Sequence, residues 1–357
     1  MNDRFAFGWK IGQPTGWGQY GRGLHDALTR LGYPTLLPHG SVDQDPEPLT
    51  GSGWYLEPIG NDCHATPDTA AGWKVAGLVV IEEGALPKGK ADHLRTYDAL
   101  LVGCPWSLKV CHDAGLTHAQ LFPQGVDTRA YPVRTRTPDG KFRVFSGGKL
   151  EVRKSQDIVV ETFRRLLNAV PHAVLVPAWH NYWPKTVGRL DHAGLVRSLP
   201  PYDDETQTWD FARWLEFEGI PKANIQPVCV LDQPQTRAIL ETCDAGLFVS
   251  RAEGNANMAL AEVLSSGIPC VTSPHTGHAV YSASSIVRKA LRVRPSKLQP
   301  HNIDSITGWY DTDPQELALM LAELALTPYR VVPQDVAAFR WQWDWDARAE
   351  VMVGLLQ

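Results

Sequence analysis

Two carboxylates lie close together in one stretch of the chain, from Val249 to Pro274. Glu253 follows a buried strand in a glycine-containing loop, and Glu262 stands on an otherwise apolar helix. The free N–H groups at the start of such a helix point into the crevice beside the sheet, where they can bind an anion. A carboxylate accepts hydrogen bonds from neighbouring hydroxyls. Glu262 therefore either faces solvent on an exposed turn or is held for a ligand.

Glycines and lysines lie together in a second stretch. A short apolar strand leads into Gly147-Gly148, and Lys149 and Lys154 follow before an amphipathic helix. Glycines let the backbone approach a phosphate, and lysines supply compact positive charge. The segment predicts a phosphate-binding loop, and a solvated basic loop is the alternative. Ser155 is expected to cap the helix, with Asp157 in its first turn.

A third glycine-rich turn lies near the N-terminus. The apolar strand Phe5–Trp9 is followed by Thr15, which is expected to cap a helix that ends at Gly32. Gly16 and Gly18 permit tight turns at the start of that helix. A lone glycine pattern is weak evidence for ligand binding, and a loop that only packs against its neighbours is the alternative.

The elements that must position these stretches alternate between short apolar strands and helices. That alternation is typical of doubly wound α/β domains, and 357 residues suffice for two of them. Residues 40–72 indicate loops or short irregular strands, and residues 129–143 indicate an interdomain linker. Further strands are predicted at 75–81, 99–102, 119–122, 173–177, 225–230 and 245–249, and helices at 106–114, 209–218, 236–242 and 334–357.

Composition excludes several classes of protein. A net charge of −5 gives no overall attraction to nucleic acid, and six scattered cysteines without a CxxC pair indicate neither a disulfide nor a zinc framework. The sequence shows no signal peptide and no apolar run long enough to cross a membrane. A cytoplasmic protein is expected, with peripheral attachment to a membrane left open. Asp311-Thr312-Asp313 imitates an acidic metal motif, but Asp313 before Pro314 predicts a helix cap, so no metal site is expected.

Three segments resemble the motifs of one family, the retaining, nucleotide-sugar-dependent glycosyltransferases of the two-domain B-type fold, specifically the bacterial family 4 group. Residues 245–273 resemble its Glu-Gly loop, second glutamate and small-Gly-x-Pro turn. Residues 144–157 resemble its Gly-Arg-Leu and Lys-Gly motif, with Lys149 replacing arginine and Ser155 replacing glycine. Residues 122–132 resemble its Pro-x-Gly-Val-Asp segment.

The resemblance implies a GT-B architecture, in which two Rossmann-like domains face each other across a cleft. Residues 1–133 would form the acceptor-side domain, residues 134–333 the nucleotide-sugar domain, and residues 334–357 a helix that packs back on the first domain. The implied activity is transfer of a sugar from a nucleoside diphosphate sugar, such as a UDP-sugar, to an acceptor. Retention at the anomeric carbon is implied as well, with the donor as co-substrate and neither cofactor nor metal.

The resemblance also implies roles for individual residues. Eight residues separate Glu253 from Glu262, one more than in the family, and the extra residue is assigned to Asn255-Ala256-Asn257. The implied catalytic residues are Glu253, Lys154 and Lys149. The implied donor contacts are Gly16, Gly18, Gly148, Lys149, Lys154, Glu253, Asn255, Ala256, Asn257 and Glu262.

The acceptor stays open between a glycan, a lipid-linked glycan, a small molecule and a nucleic acid. Residues 288–297 form a basic segment, and helical spacing would place Arg288 and Arg292 on one face. A solvated helix is favoured over a surface for an anionic acceptor. The alternatives are a phage-type enzyme that glycosylates modified DNA bases, a nucleic-acid-binding relative, and a hydrolytic or isomerising enzyme of the same fold.

Overall fold

The fold is known from a computed structural model. The structure describes residues 4–61, 63, 70–86, 89–135, 139–181, 183–184, 187–188, 190–228, 232–298, 308–327 and 331–357. Within these residues the chain forms two parallel sheets with helices on both faces, so the predicted α/β architecture of two doubly wound domains is confirmed.

The first domain is built on a six-stranded parallel sheet in the order β2-β1-β3-β4-β5-β6. Its strands are short and buried on both faces, as expected for a sheet covered by helices on each side. Its strands are β1 (Phe5–Phe7), β2 (Thr35–Leu36), β3 (Trp54–Ile59), β4 (Lys74–Val79), β5 (Ala99–Val102) and β6 (Ala119–Leu121), and its helices are α1 (Gly16–Arg30), α2 (Lys90–Leu94) and α3 (Pro105–Asp113).

The second domain is built on a five-stranded parallel sheet in the order β13-β12-β11-β7-β8. An isolated parallel bridge joins Ile225 to Leu175 of β8, at the place of a sixth strand. The strands of this sheet are β7 (Phe142–Lys149), β8 (Ala173–His180), β11 (Ala245–Phe248), β12 (Cys270–Thr272) and β13 (Val287–Lys289). Two separate antiparallel pairs are formed by β9 (Tyr202–Asp203) with β10 (Thr208–Trp209) and by β14 (Val293–Pro295) with β15 (Tyr310–Thr312). Its helices are α4 (Gln156–Ala169), α5 (Phe211–Phe217), α6 (Gln233–Leu240), α7 (Met258–Ser265) and α8 (Pro314–Leu326), and α9 (Pro333–Trp343) and α10 (Trp345–Leu356) follow.

The C-terminal segment forms two helices where one was predicted. Helix α9 ends at Trp343, and Asp344 adopts an extended ψ of 143° and caps α10 with its side chain. Helix α9 packs through Val336 and Phe339 on the core of the second domain, whereas α10 packs on α1 of the first domain through Trp345 and Met352. The break at Asp344 lets one segment contact both domains.

Three further local predictions differ from the structure in part or in whole. Residues 40–72 were predicted to form loops or short irregular strands, and residues 54–59 form the regular central strand β3, in which the polar Glu57 is buried and accepts a hydrogen bond from Tyr97 Oη (2.8 Å). The basic segment 288–297 forms the short strands β13 and β14 instead of a helix. The predicted strand at 225–230 is described only to residue 228 and reduces there to the bridge at Ile225.

Candidate functional site

The two central strands of the second sheet define the point where a ligand would bind. Strand β7 pairs with β8 on one side and with β11 on the other, so the chain reverses its direction of winding between β7 and β11. In open α/β sheets, ligands bind outside the carboxyl ends of the strands at such a switch point. Lys149 ends β7, and nine residues, 249–257, separate the end of β11 at Phe248 from Met258, the first residue of α7. The predicted phosphate-binding loop and the segment that carries the two glutamates therefore lie at the same crevice.

A cavity of about 530 Å³ opens at this crevice between the domains. Gly16 comes from the first domain, and Gly148, Lys149 and Glu262 come from the second. The exposed ring of Trp183 also lines the cavity, with the Lys149 ammonium 5.1 Å from its centre. A larger depression of about 980 Å³ lies at the amino edge of the second sheet, away from every predicted site residue.

The glycine turn of the first domain forms as predicted. Thr15 caps α1 by accepting a hydrogen bond from Gly18 N (3.1 Å). A Cβ atom at Gly18 would lie 2.3 Å from the carbonyl oxygen of Gln13, so only glycine fits there. Gly16 lines the cavity, whereas Gly18 is buried behind it, where it shapes the turn.

Glu253 and Lys154 lie behind the cavity, in the closed contact between the domains. Glu253 is only 4% exposed, and both of its oxygens accept hydrogen bonds from Lys154 Nζ (2.7 and 2.8 Å). Within the described residues, neither of the two side chains lines the cavity. A ligand in the cavity therefore reaches Lys149 and Glu262 directly, but reaches Lys154 and Glu253 only after a local rearrangement.

Three more donors surround the Glu253 carboxylate. Arg153 Nη1 (3.0 Å), Ser250 Oγ (2.5 Å) and Asn257 Nδ2 (2.9 Å) all donate to it. Burial alone would raise the pKa of Glu253, but Lys154 and Arg153 outweigh burial and hold that pKa well below its ordinary value. Glu253 is thus an anion with every accepting position engaged.

Arg153 joins this group to the first domain. Its guanidinium lies 2.7 Å from Glu82, which follows β4, and 2.5 Å from Glu151. Lys149 also pairs with Glu151, at 3.0 Å. The sequence pointed to Lys149 and Lys154 and missed Arg153 between them, although its place in the same basic run was a usable signal. Glu82 thus lies in the cleft, where its carboxylate pairs with Arg153.

The loop that carries the extra residue enters the first domain. A Cβ atom on Gly103, which follows β5, would lie 2.1 Å from Asn255 Cγ. Ser107 Oγ donates to the carbonyl oxygen of Gly254 (2.9 Å), and Gln124 Nε2 donates to the carbonyl oxygen of Ala256. Asn255 and Ala256, both predicted donor contacts, thus lie in the interdomain contact.

Asn257 and Glu262 belong to helix α7. Asn257 is its N-cap, and its Oδ1 accepts from Leu260 N (3.1 Å). Glu262 is partly exposed to the cavity on the first turns of the helix. Burial raises the pKa of Glu262 to about 7, and a hydrogen bond with Tyr131 opposes the rise. Glu262 is the predicted carboxylate that a ligand in the cavity can contact.

Ser155 occupies the predicted N-cap position of α4 without capping it. Its φ is +61°, in the left-handed region, and its side chain makes no cap hydrogen bond. The prediction of a serine cap was wrong because the left-handed backbone turns Oγ away from the free N–H groups. Asp157 lies in the first turn as predicted, and there it pairs with the buried Arg251 (2.7 Å).

The described residues hold no group of three or more His, Cys, Asp or Glu side chains placed to bind a metal ion. Asp313 caps α8 with Pro314 at its first position, as predicted, and Asp311 pairs with Arg251. In the described part of the chain, no helix has the length and apolar character needed to cross a bilayer.

Solved structures resemble this chain over its full length. AviGT4, a glycosyltransferase involved in avilamycin A biosynthesis, is 14% identical, with 99% of this chain and 97% of that chain covered and a TM-score of 0.62. An E. coli structure described as trehalose-6-phosphate bound with UDP-2-fluoro glucose is 12% identical, with 99% of each chain covered and a TM-score of 0.67. The sucrose-phosphate synthase of Thermosynechococcus elongatus is 13% identical, with 99% and 98% covered and a TM-score of 0.67.

These similarities confirm the predicted GT-B fold. Neither a protein-family model nor a curated protein sequence matches the chain. At 12–14% identity the similarity to solved structures concerns the fold.

Proposed function

We propose that this protein is a glycosyltransferase that moves a sugar from a nucleoside diphosphate sugar to an acceptor. The observation that carries the proposal is the cavity at the switch point of a GT-B fold, lined together by Gly148, Lys149 and Glu262. Retention at the anomeric carbon rests on the family 4 resemblance of residues 144–157 and 245–273.

The cavity residues suit a nucleoside diphosphate. Gly148 has a φ of +133° and no side chain, so the backbone there can approach a phosphate. Lys149 supplies a positive charge beside it, and the N-terminus of α7 adds its free N–H groups. Glu262 accepts hydrogen bonds, which suits the hydroxyls of a ribose.

Lys154 would act on the leaving group. As the bond to the sugar breaks, the diphosphate gains negative charge, and a lysine placed against it lowers the barrier without a metal ion. Lys154 now pairs with Glu253, so the incoming diphosphate would compete for its ammonium group. Release of Lys154 would free one accepting position on each Glu253 oxygen for the transferred sugar.

The basic segment gives no support to a nucleic acid acceptor. Arg288 pairs with Glu323 (2.8 Å), and Arg292 lies 3.7 Å from Asp313. Arg294 lies 3.9 Å from Asp311. These carboxylates offset the charge of the strands, so a DNA-modifying activity is not proposed. A glycan, a lipid-linked glycan or a small molecule remains the proposed acceptor class.

Calorimetric titration with UDP, GDP and ADP in the presence of EDTA tests the donor site. We expect at least one of these nucleotides to bind without divalent metal, and a strict requirement for Mg²⁺ or Mn²⁺ would refute metal-independent binding. The matching UDP-, GDP- or ADP-sugars are then incubated with pooled sugar and lipid acceptors. NMR detection of an α-linked product from an α-linked donor supports retaining transfer, whereas release of free sugar alone indicates hydrolysis.

A further inference from the structure

A buried histidine that the proposed reaction does not use lies against the Glu253 group. His278 follows β12, and its side chain is fully buried. Its Nδ1 lies 2.7 Å from Ser273 Oγ, and its Nε2 lies 3.2 Å from Asn257 Nδ2. Both ring nitrogens are therefore engaged, and one of them contacts the residue that caps α7 and donates to Glu253.

The orientation of the Asn257 amide follows from its neighbours. Leu260 N–H can only donate, so the Asn257 atom that faces it must be the oxygen. The nitrogen of the same amide then faces Glu253 Oε1 at 2.9 Å and His278 Nε2 at 3.2 Å. Its two hydrogens match these two acceptors, one each.

The tautomer of His278 follows in turn. Because Asn257 Nδ2 has no lone pair, His278 Nε2 must accept, and the ring proton must lie on Nδ1. That proton is donated to Ser273 Oγ, whose own hydrogen reaches the carbonyl oxygen of Ser250 (3.3 Å). The chain of donors and acceptors closes only when His278 is neutral.

We propose that His278 is a positioning residue: it fixes the amide of Asn257 and thereby orients the Glu253 carboxylate toward the sugar that is transferred. The assignment rests on the proposed function, in which Glu253 meets that sugar. Asn257 shares Oε1 of the carboxylate with Ser250 and Lys154, and it keeps its hold on that oxygen when Lys154 turns to the diphosphate. A displacement of the order of 1 Å in a reacting group costs about 10²-fold in rate.

The charges around His278 maintain its neutral form. Burial lowers the pKa of His278 to about 3, and the Glu253 carboxylate, 3.7 Å away, opposes this only in part. Lys154, His275 and Arg153 contribute to the same lowering of the pKa. The ring therefore stays unprotonated across the neutral range, and the hydrogen bond from Asn257 persists there.

Three variants separate positioning from packing. His278→Phe keeps the ring volume but removes the acceptor, and we expect kcat to fall by roughly tenfold or more with little change in the affinity for the nucleoside diphosphate. His278→Gln keeps a carbonyl acceptor, and kcat should recover to within about threefold of wild type.

His275→Gln is the matched control, because His275 Nε2 donates to the Arg251 carbonyl oxygen (3.1 Å) and does not contact Asn257. It should lower Tm without lowering kcat.

Two NMR measurements decide the assignment without reference to transfer activity. Imidazole ¹⁵N spectra of the wild type should show the Nδ1–H tautomer of His278 from pH 5 to pH 8. A ¹³C titration should show a higher pKa for Glu253 in His278→Phe than in wild type, because Glu253 loses an ordered donor. If no sugar is transferred but both signatures appear, the proposed function fails and the positioning contact stands.

Other results overturn the assignment. An Nε2–H or protonated His278 at pH 6 would contradict the hydrogen-bond chain. A folded His278→Phe variant with wild-type kcat and an unchanged pKa for Glu253 would leave His278 a packing residue only. The same conclusion would follow if His278→Gln and His278→Phe lost equal activity, since an acceptor would then make no difference.

Discussion

Lys154 and Glu253, two proposed catalytic groups, form an ion pair with each other in this structure. Replacing Lys154 by alanine removes the charge proposed to meet the leaving diphosphate, and we expect kcat to fall by roughly 10²-fold or more. The loss also leaves Glu253 with Arg153 as its remaining close cation, so its pKa should rise. Steady-state kinetics and a carboxylate titration measure the two effects.

Lys222→Ala is the matched control for this prediction. Lys222 is an exposed residue of the same domain, and it lies outside the cavity and the Glu253 group. We expect its kcat to equal that of the wild type. Unchanged turnover in Lys154→Ala would show that Lys154 serves only to neutralise Glu253.

Glu262 makes stability depend on pH. Its pKa in the folded protein is about 7, above its ordinary value of 4.5, so the folded state holds the proton more tightly than the unfolded chain. This contribution to the free energy of unfolding is complete below pH 4.5 and declines as the pH rises towards about 7. Glu262→Gln should remove the decline, and it should weaken nucleotide binding by about 1.5–3 kcal/mol.

Glu83 offers the control for Glu262. Burial, followed by the nearby Glu82 charge, raises the pKa of Glu83 to about 7 as well. At pH 8, Glu83→Gln should therefore raise the free energy of unfolding, measured with urea, as Glu262→Gln does. Its affinity for nucleotide, measured by calorimetry, should not fall. If Glu262→Gln binds nucleotide as tightly as Glu83→Gln does, Glu262 is a structural group.

The sequence predicted the cavity residues better than the buried ones. Gly148, Lys149 and Glu262 could be placed because each belongs to a strand end or helix start at the same edge of a parallel sheet. The burial of Glu253 could not be predicted, because Cys104 and Ser107, about 150 residues away in sequence, hold the backbone carbonyls of Glu253 and Gly254 against the first domain.

Ser155 shows strain at the scale of one element, the start of α4. Its φ of +61° places a non-glycine residue in the left-handed region, and within the described residues its buried Oγ has no hydrogen-bond partner. Ser155→Gly should therefore raise the free energy of unfolding by about 1 kcal/mol, and Ser155→Val should lower it. Urea unfolding of both variants measures the change.

Gln207→Gly is the matched control for Ser155→Gly. Gln207 has a φ of +53° in an exposed turn, so it shares the backbone conformation but not the buried hydroxyl. Its glycine variant should gain less stability than Ser155→Gly. Equal gains would show that the unpartnered hydroxyl costs nothing, and a loss in Ser155→Gly would show that glycine frees the unfolded chain more than it relieves the turn.

The elements that the sequence mispredicted share one cause. The regular pairing of β3, which the sequence left open between loops and short irregular strands, the strands of residues 288–297 and the break between α9 and α10 all depend on partners distant in sequence. Glu57 is polar in a buried strand because Tyr97 binds it, and Arg294 pairs with Asp311 across the β14–β15 hairpin. Periodicity along the chain contains no information about such partners, so the prediction followed local propensity instead.

At the scale of the whole molecule, the two domains are in contact across the cleft. The loop Gly254–Asn257 fits against backbone of the first domain, and a Cβ atom at Gly254 would lie 2.6 Å from the carbonyl oxygen of Ile81. Asp344 bridges to Val126 at the other end of the contact, where α9 passes into α10. Since Glu253 is buried at this contact, separation of the domains would expose it to a donor sugar.

A single added methyl group at this contact should therefore push the two domains apart. In Gly103→Ala the new Cβ would lie 2.1 Å from Asn255 Cγ and 2.2 Å from its Oδ1, and overpacking of this kind costs about 1–3 kcal/mol. Gly103 is not among the positive-φ glycines, so the backbone accepts alanine and the penalty falls on the contact. We expect a larger radius of gyration by small-angle X-ray scattering in the absence of ligand.

Two further variants test whether the expansion of Gly103→Ala comes from its contact with Asn255. Gly354→Ala, on α10 with open space around its Cβ position, should leave the radius of gyration unchanged. Asn255→Gly removes Cβ, Cγ and Oδ1, the three atoms nearest the Gly103→Ala methyl, so the double variant should return to the closed dimensions of the wild type. A compact Gly103→Ala protein, or a double variant as expanded as the single one, would show that the contact between Gly103 and Asn255 does not control separation of the domains.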